Sequence, residues 1–186
     1  MRKFLFLLML PVLLSACVNR PPDVVPVAQF DSARYLGKWY EIARIDHWFE
    51  RGLSEVTADY SPREDGGLRV INRGFHAADG KWSESTGKAF FVDGPEVGFL
   101  KVSFFGPFYG AYVIFELDTE HYQYSLVGGA DKSYLWLLSR TPTLDPAVQA
   151  RLLARAAALG FDTSQLVFVK QSAPASAAPA HPPVPG

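Results

Sequence analysis

The sequence predicts an all-β fold: an eight-stranded antiparallel up-and-down β-barrel with one C-terminal α-helix packed on its outside. Three observations predict it. All the aromatic residues except Phe4 and Phe6 lie between Phe30 and Phe168, so one core is expected there. Within that segment, eight runs of β-favouring residues are separated by Gly, Asp and Pro. A single amphipathic helical pattern follows the eighth run.

The eight runs have short connections, which favour an antiparallel meander. In the second run, Glu55, Thr57 and Asp59 alternate with apolar residues, so one face of the strand is predicted to be exposed to solvent and the other to be buried. Eight such strands that close on themselves leave no exposed edge, and they enclose either packed side chains or one small ligand. Alternation alone does not decide between a filled and a hollow barrel. The runs are 38–45, 55–61, 68–75, 83–92, 99–105, 109–117, 122–127 and 133–140.

The turns and the helix have their own signals. The sequence Asp65-Gly66-Gly67 predicts a hairpin turn between the second and third runs. After the eighth run, Asp145 can cap a helix, Pro146 suits its first turn, and Gly160 can end it. A last short strand is expected at 166–169. The helix has an apolar stripe that would lie against the barrel, formed by Val148, Leu152, Ala156 and Leu159.

The first 16 residues predict a secretory signal peptide. Arg2 and Lys3 precede an apolar run, 4–14, that is 11 residues long. That run is too short for a membrane-spanning helix, which needs roughly 20 residues. The signal ends in Leu-Ser-Ala before Cys17, which resembles the lipobox of bacterial lipoproteins.

The lipobox resemblance implies a lipid anchor. The peptide would be cut before Cys17, and the cysteine would carry a diacylglycerol on its thiol. Val18 in the next position implies sorting to the outer membrane, on its periplasmic side. Residues 17–29, which contain three prolines, are then predicted to be a stiff tether. The alternative is a secreted protein with an incidental cysteine.

Composition excludes several function classes. Without residues 1–16 the chain has 16 basic and 19 acidic residues, a net charge of −3, which argues against binding to nucleic acid. Its single cysteine cannot form an internal disulfide, and its four histidines show no metal-binding spacing. No nucleophile elbow, P-loop or dinucleotide fingerprint is present, so neither an enzyme nor a cofactor is expected. The Ala/Pro-rich residues 171–186 are predicted to be disordered.

The start of the first run, Gly37-Lys38-Trp39, resembles the Gly-x-Trp signature of the lipocalin family. The segments 49–52, 101–110 and 134–142 resemble the bacterial outer-membrane branch of that family, which is related to apolipoprotein D. Membership implies that Trp39 packs against Arg140 across the closed end of the barrel, as a structural pair. It also implies a homodimer, for which the chain itself gives no argument.

The resemblance to apolipoprotein D implies that Asn72 and Trp136 line a ligand chamber. Strand parity adds Leu138, Phe104 and Tyr112 as inward-facing candidates. Ordinary core packing is the alternative for the apolar and aromatic residues, and a hydrogen bond to the backbone is the alternative for Asn72. His47 is expected to be exposed in the loop above the open end.

The implied function is that of a membrane-anchored lipid-binding lipocalin. It would bind fatty acids or lysophospholipids in its barrel, for storage or transport in the cell envelope, under envelope stress. One enzymatic branch of the family uses a cysteine in the cavity, but Cys17 lies outside the predicted barrel. The alternative function is a structural envelope protein with a filled barrel and a protein partner.

Overall fold

A computed structural model describes residues 18–172, so the signal peptide, Cys17 and residues 173–186 lie outside the described residues. A short helix, α1 (Ser32–Tyr35), precedes the barrel. The barrel strands are β1 (Gly37–Ile45), β2 (Leu53–Pro62), β3 (Leu68–His76), β4 (Lys81–Phe91), β5 (Phe99–Ser103), β6 (Gly110–Leu117), β7 (Tyr124–Gly128) and β8 (Leu135–Ser139). They are followed by α2 (Pro146–Ala158), a 3-10 turn (Thr163–Gln165) and β9 (Leu166–Phe168).

The eight strands β1 to β8 form a closed antiparallel barrel. Each pairs with the next along the chain, and β1 pairs with both β2 and β8. The short β9 adds to the part of β1 that has separated from β2. This confirms the predicted fold, and the ends of each predicted run differ from the observed strand by two residues at most. The sequence did not predict α1, whose first turn is capped by the carboxylate of Asp31.

The up-and-down topology defines two ends of the barrel. Strand β1 starts beside α1 at the closed end. Because the strands alternate in direction, four connections meet at the opposite end, which we call the mouth. They are 46–52, 77–80, 104–109 and 129–134.

Helix α2 packs on the outside of the barrel, as predicted. The carboxylate of Asp145 accepts hydrogen bonds from two backbone N–H groups of the first turn. Gly160 follows the helix with a φ of +79°, a conformation that glycine adopts easily. Leu152 and Ala156 are fully buried against the barrel wall, and the other two members of the predicted stripe pack partly beside them.

The segment that precedes the barrel is packed on the wall, which corrects the prediction of a tether. Val24 is fully buried in the same outer core as α2, and Val18 packs against that core. The backbone N–H of Val27 donates to the carbonyl of Ile114 at 2.9 Å. Burial of the valines holds the described part of this segment against the barrel.

Residues 171 and 172, which the sequence assigned to the tail, are hydrogen-bonded to the barrel. The side-chain amide of Gln171 donates to the carbonyls of Glu41 at 2.8 Å and Val56 at 2.9 Å. The backbone N–H of Ser172 donates to the carboxylate of Glu55 at 2.8 Å. These bonds fill the place where β1 and β2 separate, so both residues are part of the described domain.

Candidate functional site

The lower half of the barrel, toward the closed end, is filled with side chains. Among them, Tyr35 and Trp39 are buried with their ring centroids 4.6 Å apart. The indole N–H of Trp39 donates to the carbonyl of Tyr35 at 2.8 Å. This part of the barrel is an ordinary packed core, and its other buried members include Leu68, Val70, Ala89, Leu100, Ile114 and Leu138.

Arg140 seals the closed end over Trp39. The guanidinium carbon lies 4.0 Å from the centroid of the Trp39 ring. The guanidinium donates to the carbonyls of Lys38 at 2.9 Å, Arg34 at 2.7 Å and Tyr122 at 3.2 Å. A cation over a desolvated indole contributes on the order of 1 to 2 kcal/mol. The three hydrogen bonds join Arg140 to β1, to α1 and to the loop between β6 and β7.

The backbone conformation at position 37, next to Arg140, explains why this residue is a glycine. Its φ is +86°, in the region that favours glycine. A Cβ at this position would lie 3.7 Å from Nη1 of Arg140, an ordinary contact distance, so the positive φ and not a lack of space is the reason for glycine here.

The upper half of the barrel is less completely packed than the lower half. Several residues whose side chains face inward there remain partly exposed, so the space between them and the mouth loops is not completely filled. We call this space the chamber. Its partly exposed lining includes Ala58, Asn72, Val102, Phe104, Tyr112 and Trp136.

The structure places four of the five predicted ligand residues around the chamber. Asn72 pairs across the ladder with Ala58, so both side chains point inward. The Oδ1 atom of Asn72 is buried, and within residues 18–172 it has no hydrogen-bond partner. The backbone bond that was the alternative reading of Asn72 is therefore not formed at that atom. Leu138 instead lies below Trp136, in the filled half.

A buried ionic cluster lies on one wall of the chamber. A β-bulge between Glu41 and Ala43 turns both Glu41 and Arg44 toward the interior. Nη1 of Arg44 donates to Glu41 Oε1 at 2.8 Å, and Nη2 donates to the carbonyl of Glu50 at 2.6 Å. The Glu50 carboxylate accepts a bond from the indole N–H of Trp136 at 3.0 Å. Glu50, although it belongs to a mouth loop, is thus held inside.

Burial changes the protonation of this cluster. The pKa of Glu41 is raised to about 8, chiefly by desolvation and also by the nearby Glu50 carboxylate, while Arg44 opposes the shift. Burial also raises the pKa of Glu50, while the Trp136 N–H and Arg44 oppose the shift. With a pKa of about 8, Glu41 is mostly protonated at neutral pH.

Four hydroxyl groups form a chain at the bottom of the chamber. The hydroxyl of Tyr112 lies 2.7 Å from that of Tyr60 and 2.9 Å from that of Tyr35. Tyr35 also lies 3.3 Å from the hydroxyl of Ser125. Burial raises the pKa of Tyr35 to about 12, so these phenols stay neutral.

The mouth loops combine internal stacking with exposed aromatic rings. His47 stacks on Tyr134 with centroids 4.0 Å apart, and its Nε2 lies 3.0 Å from the carbonyl of Ser133. His47 is therefore half-buried and joins two loops, which corrects its prediction as an exposed residue. Three large apolar side chains at the mouth are mostly exposed: Trp48, Phe105 and Phe108.

A separate groove lies on the outer face of β1 to β4. Its volume is about 260 Å³ and its lining is largely charged or polar, with Trp82 and Tyr40 among the exceptions. Gln171 reaches its edge. This groove lies outside the barrel and is distinct from the chamber.

Comparison with known proteins settles the family. A model described as a lipocalin-like domain matches residues 30–171. The chain belongs to the lipocalin family. It is 53% identical over 167 residues to the outer membrane lipoprotein Blc of Vibrio cholerae, a match that covers 90% of this chain and 98% of the relative. The identity to Blc of Escherichia coli K12 is also 53%, over 161 residues, covering 86% of this lipocalin and 90% of the relative.

More distant matches agree. Bovine apolipoprotein D is 36% identical over 124 residues, 63% of this lipocalin and 64% of the relative. The structure of insecticyanin from Manduca sexta superposes with a TM-score of 0.67 at 20% identity, covering 84% of this chain and 88% of that one. The names of the bacterial relatives confirm the predicted localisation at the outer membrane. As a lipocalin, the protein is a binding protein for small hydrophobic ligands and not an enzyme.

Two further observations concern only the described residues of this lipocalin. No helix between residues 18 and 172 is long and apolar enough to cross a membrane. In the same range, no three His, Cys, Asp or Glu side chains come together as a metal site would require.

The ionic cluster and the hydroxyl chain are the parts of the lipocalin chamber that the sequence did not reveal. Strict alternation puts Glu41 and Arg44 on opposite faces, and only the bulge brings them to the same face. A usable signal was the presence of two charged residues in the apolar second half of a predicted barrel strand. For Glu50 no local signal exists. Strand parity indicated that Tyr112 faces inward, but it does not give the hydroxyl partners, because they are distant in sequence.

Proposed function

We propose that this lipocalin binds single-chain lipids, fatty acids or lysophospholipids, in its chamber, for storage or transport in the cell envelope under envelope stress. The observation that best supports this is the contrast between the two halves of the barrel interior. The lower half is buried, whereas several inward-facing residues of the upper half remain partly exposed, among them Ala58 on β2 and Trp136 on β8. A space of that kind can take an acyl chain.

The energetics of such binding are favourable. A C16 chain buries about 15 carbons at roughly 0.8 kcal/mol each, which gives on the order of 12 kcal/mol before association costs. Those costs are at least about 4 kcal/mol, so micromolar or tighter affinity is expected. Phe104 and Trp136 offer apolar surface along the path of the chain.

A titration tests the proposal. We expect delipidated residues 18–186 to bind palmitate and a lysophospholipid saturably, near one lipid per barrel or per homodimer, followed by tryptophan fluorescence. Trp136→Ala should weaken binding by about tenfold or more, because it removes a large contact surface and the partner of Glu50. Trp82→Ala is the matched control, since Trp82 lies half-exposed on the outer face.

Two results would decide against the proposal. One is a folded protein that binds neither lipid, which would favour a filled barrel with a protein partner. The other is an equal loss of affinity in the Trp136 and Trp82 variants, which would place binding outside the chamber. Thermal unfolding of each variant separates loss of fold from loss of binding.

We also propose that the protein is anchored by lipid on Cys17. The next residue, Val18, packs on the barrel wall, so an anchor at Cys17 would hold the barrel close to the membrane surface. The exposed aromatic rings at the mouth would suit such a surface. Several acyl chains at roughly 0.8 kcal/mol per buried CH₂ make an anchor that is effectively permanent.

Replacement of the cysteine tests the anchor. Cys17→Ala is expected to move the protein from the membrane fraction to the soluble periplasmic fraction, with an unchanged melting temperature. The measurement is cell fractionation with an immunoblot, beside a Ser15→Ala control that keeps the cysteine. Retention of the Cys17 variant in the membrane after a high-salt wash would contradict the proposed anchor.

A further inference from the structure

The most exposed large apolar side chains between residues 18 and 172 all lie at the mouth. Trp48, on the connection 46–52, is 76% exposed. Phe105 and Phe108, on the connection 104–109, are 73% and 78% exposed, and that connection contains no charged residue. Large exposed apolar groups that cluster on a surface mark a site of contact with a protein or a membrane. The mouth is therefore the part of the described domain best suited to an apolar partner.

The two aromatic connections face each other across the mouth. In the strand order around the barrel, the connection 46–52 is followed by 77–80, then by 104–109, and then by 129–134. The ring of Trp48 therefore lies on one rim of the mouth, and the two phenylalanine rings lie on the opposite rim. A partner that contacts both rims must lie across the opening.

A lipid surface fits this arrangement better than a protein does. A protein seated across the mouth would block the way into the chamber. A membrane would instead place the chamber next to the single-chain lipids of the proposed function. Aromatic side chains are favoured in the head-group region of a bilayer, where their apolar rings leave water. The rings at the mouth can thus enter a lipid layer while the chamber opens onto it.

The charges at the mouth indicate that the rings provide most of the attraction. Arg51 and Lys81 are exposed cations there, which phosphate groups can approach. However, Arg51 Nε lies 3.2 Å from the carboxylate of Asp46, and Lys81 Nζ lies 4.0 Å from that of Asp79. The chain without residues 1–16 also has a net charge of −3. Contact with a lipid surface should therefore depend little on anionic lipid or on ionic strength.

The segment that precedes the barrel is tied to the same end. Asp23 forms an ion pair with Lys132 of the mouth connection 129–134, with Oδ2 and Nζ 2.5 Å apart. Cys17, the proposed site of lipidation, is six positions before Asp23, and six residues span roughly 20 Å at most. An anchor on Cys17 would therefore hold the membrane near the mouth and not near the closed end.

We infer that the mouth of the barrel docks on a phospholipid surface, with Trp48 inserted from one rim and Phe105 and Phe108 from the opposite rim. This rests on the proposed function and deepens it, because a docked mouth exchanges single-chain lipids between membrane and chamber without their crossing water. The docking surface is formed by the exposed rings, whereas the ligand is held by the chamber. The two can therefore fail separately.

Vesicle binding tests the docking surface. The Cys17→Ala protein, which keeps the whole chain but has no acylation site, should co-sediment with phosphatidylcholine vesicles at low and at high salt. Addition of F105S/F108S should weaken this binding by about tenfold or more, because two apolar rings can no longer leave water. Val92→Ser is the matched control and should change nothing, since Val92 is an exposed apolar residue in the connection between β4 and β5, at the closed end.

Tryptophan emission locates the contact. Vesicles should shift the emission of the Cys17→Ala protein to shorter wavelength, because Trp48 passes from water into the head-group region. The added Trp48→Phe change keeps an aromatic ring, so it should preserve vesicle binding and remove most of the shift. Trp82→Phe should preserve both, since Trp82 lies on the outer wall of the barrel. A full shift in the Trp48 variant would contradict the docked orientation.

The outcomes separate docking from lipid binding. F105S/F108S should bind soluble palmitate as the parent protein does, because neither side chain packs in the barrel core. Binding of palmitate without binding of vesicles would overturn the docking surface, leave the lipid carrier intact and assign the exposed rings to a protein partner. Vesicle binding that high salt abolishes, or that Val92→Ser weakens equally, would also overturn it. A folded protein that binds neither palmitate nor vesicles would overturn both proposals.

Discussion

Trp39→Ala is expected to lower the free energy of unfolding by about 3 to 5 kcal/mol, the usual range for truncation of a buried tryptophan. The indole is fully buried, its N–H donates to Tyr35, and its face carries the guanidinium of Arg140. The variant therefore loses packing, a hydrogen bond and a cation–π contact together. Urea denaturation followed by circular dichroism measures the change.

Trp82→Ala is the control for the loss of an indole at the barrel surface. Trp82 is half-exposed and lies under the guanidinium of Arg73, at 4.2 Å. We expect its truncation to change stability by about 1 kcal/mol or less. A Trp39 variant no less stable than the Trp82 variant would contradict the role of Trp39 in sealing the closed end.

The second large effect is a pH dependence carried by Glu41. The pKa of Glu41 is about 8 in the folded chain against an ordinary value of 4.5, so between those pH values the folded state holds one proton more than the unfolded state. The free energy of unfolding should therefore fall as pH rises through this window and level off above it. The slope from this one group is at most about 1.4 kcal/mol per pH unit.

Glu41→Gln should remove this contribution while keeping a neutral side chain of similar shape. The measurement is the difference between the wild-type and variant stabilities, from urea melts between pH 5 and pH 9. The free energy of unfolding of the variant, relative to that of the wild type, should increase as pH rises. Glu84→Gln, at an exposed outer position, is the control and should give a flat difference. A flat difference for Glu41→Gln as well would show that its carboxyl is ionised across this window.

The architecture followed from sequence because local patterns determine it. Alternation of polar and apolar residues fixed the faces of the strands, and Asp145 with Pro146 marked the start of α2. The signature glycine at Gly37 was found by resemblance, and its positive φ gives the physical reason for it.

The interior of the site could not be predicted in the same way. The bulge after Glu41 shifts the parity of β1, and no residue type in that segment marks it. Glu50 belongs to a loop and points inward because Arg44 and Trp136 bind it. The packing of Val18 and Val24 on the barrel likewise depends on a surface that exists only once the strands and α2 have assembled.

The central claim is that the chamber holds a single-chain lipid, and its contents can be examined directly. The Cys17→Ala protein would be purified from the periplasm without detergent, extracted with organic solvent, and the extract analysed by mass spectrometry. We predict fatty acids or lysophospholipids at near one molecule per barrel or per dimer. The amount of extracted lipid should be clearly lower when Trp136→Ala is combined with Cys17→Ala, and unchanged when Trp82→Ala is combined with it. Equal, trace amounts of lipid in all three folded proteins would contradict the account.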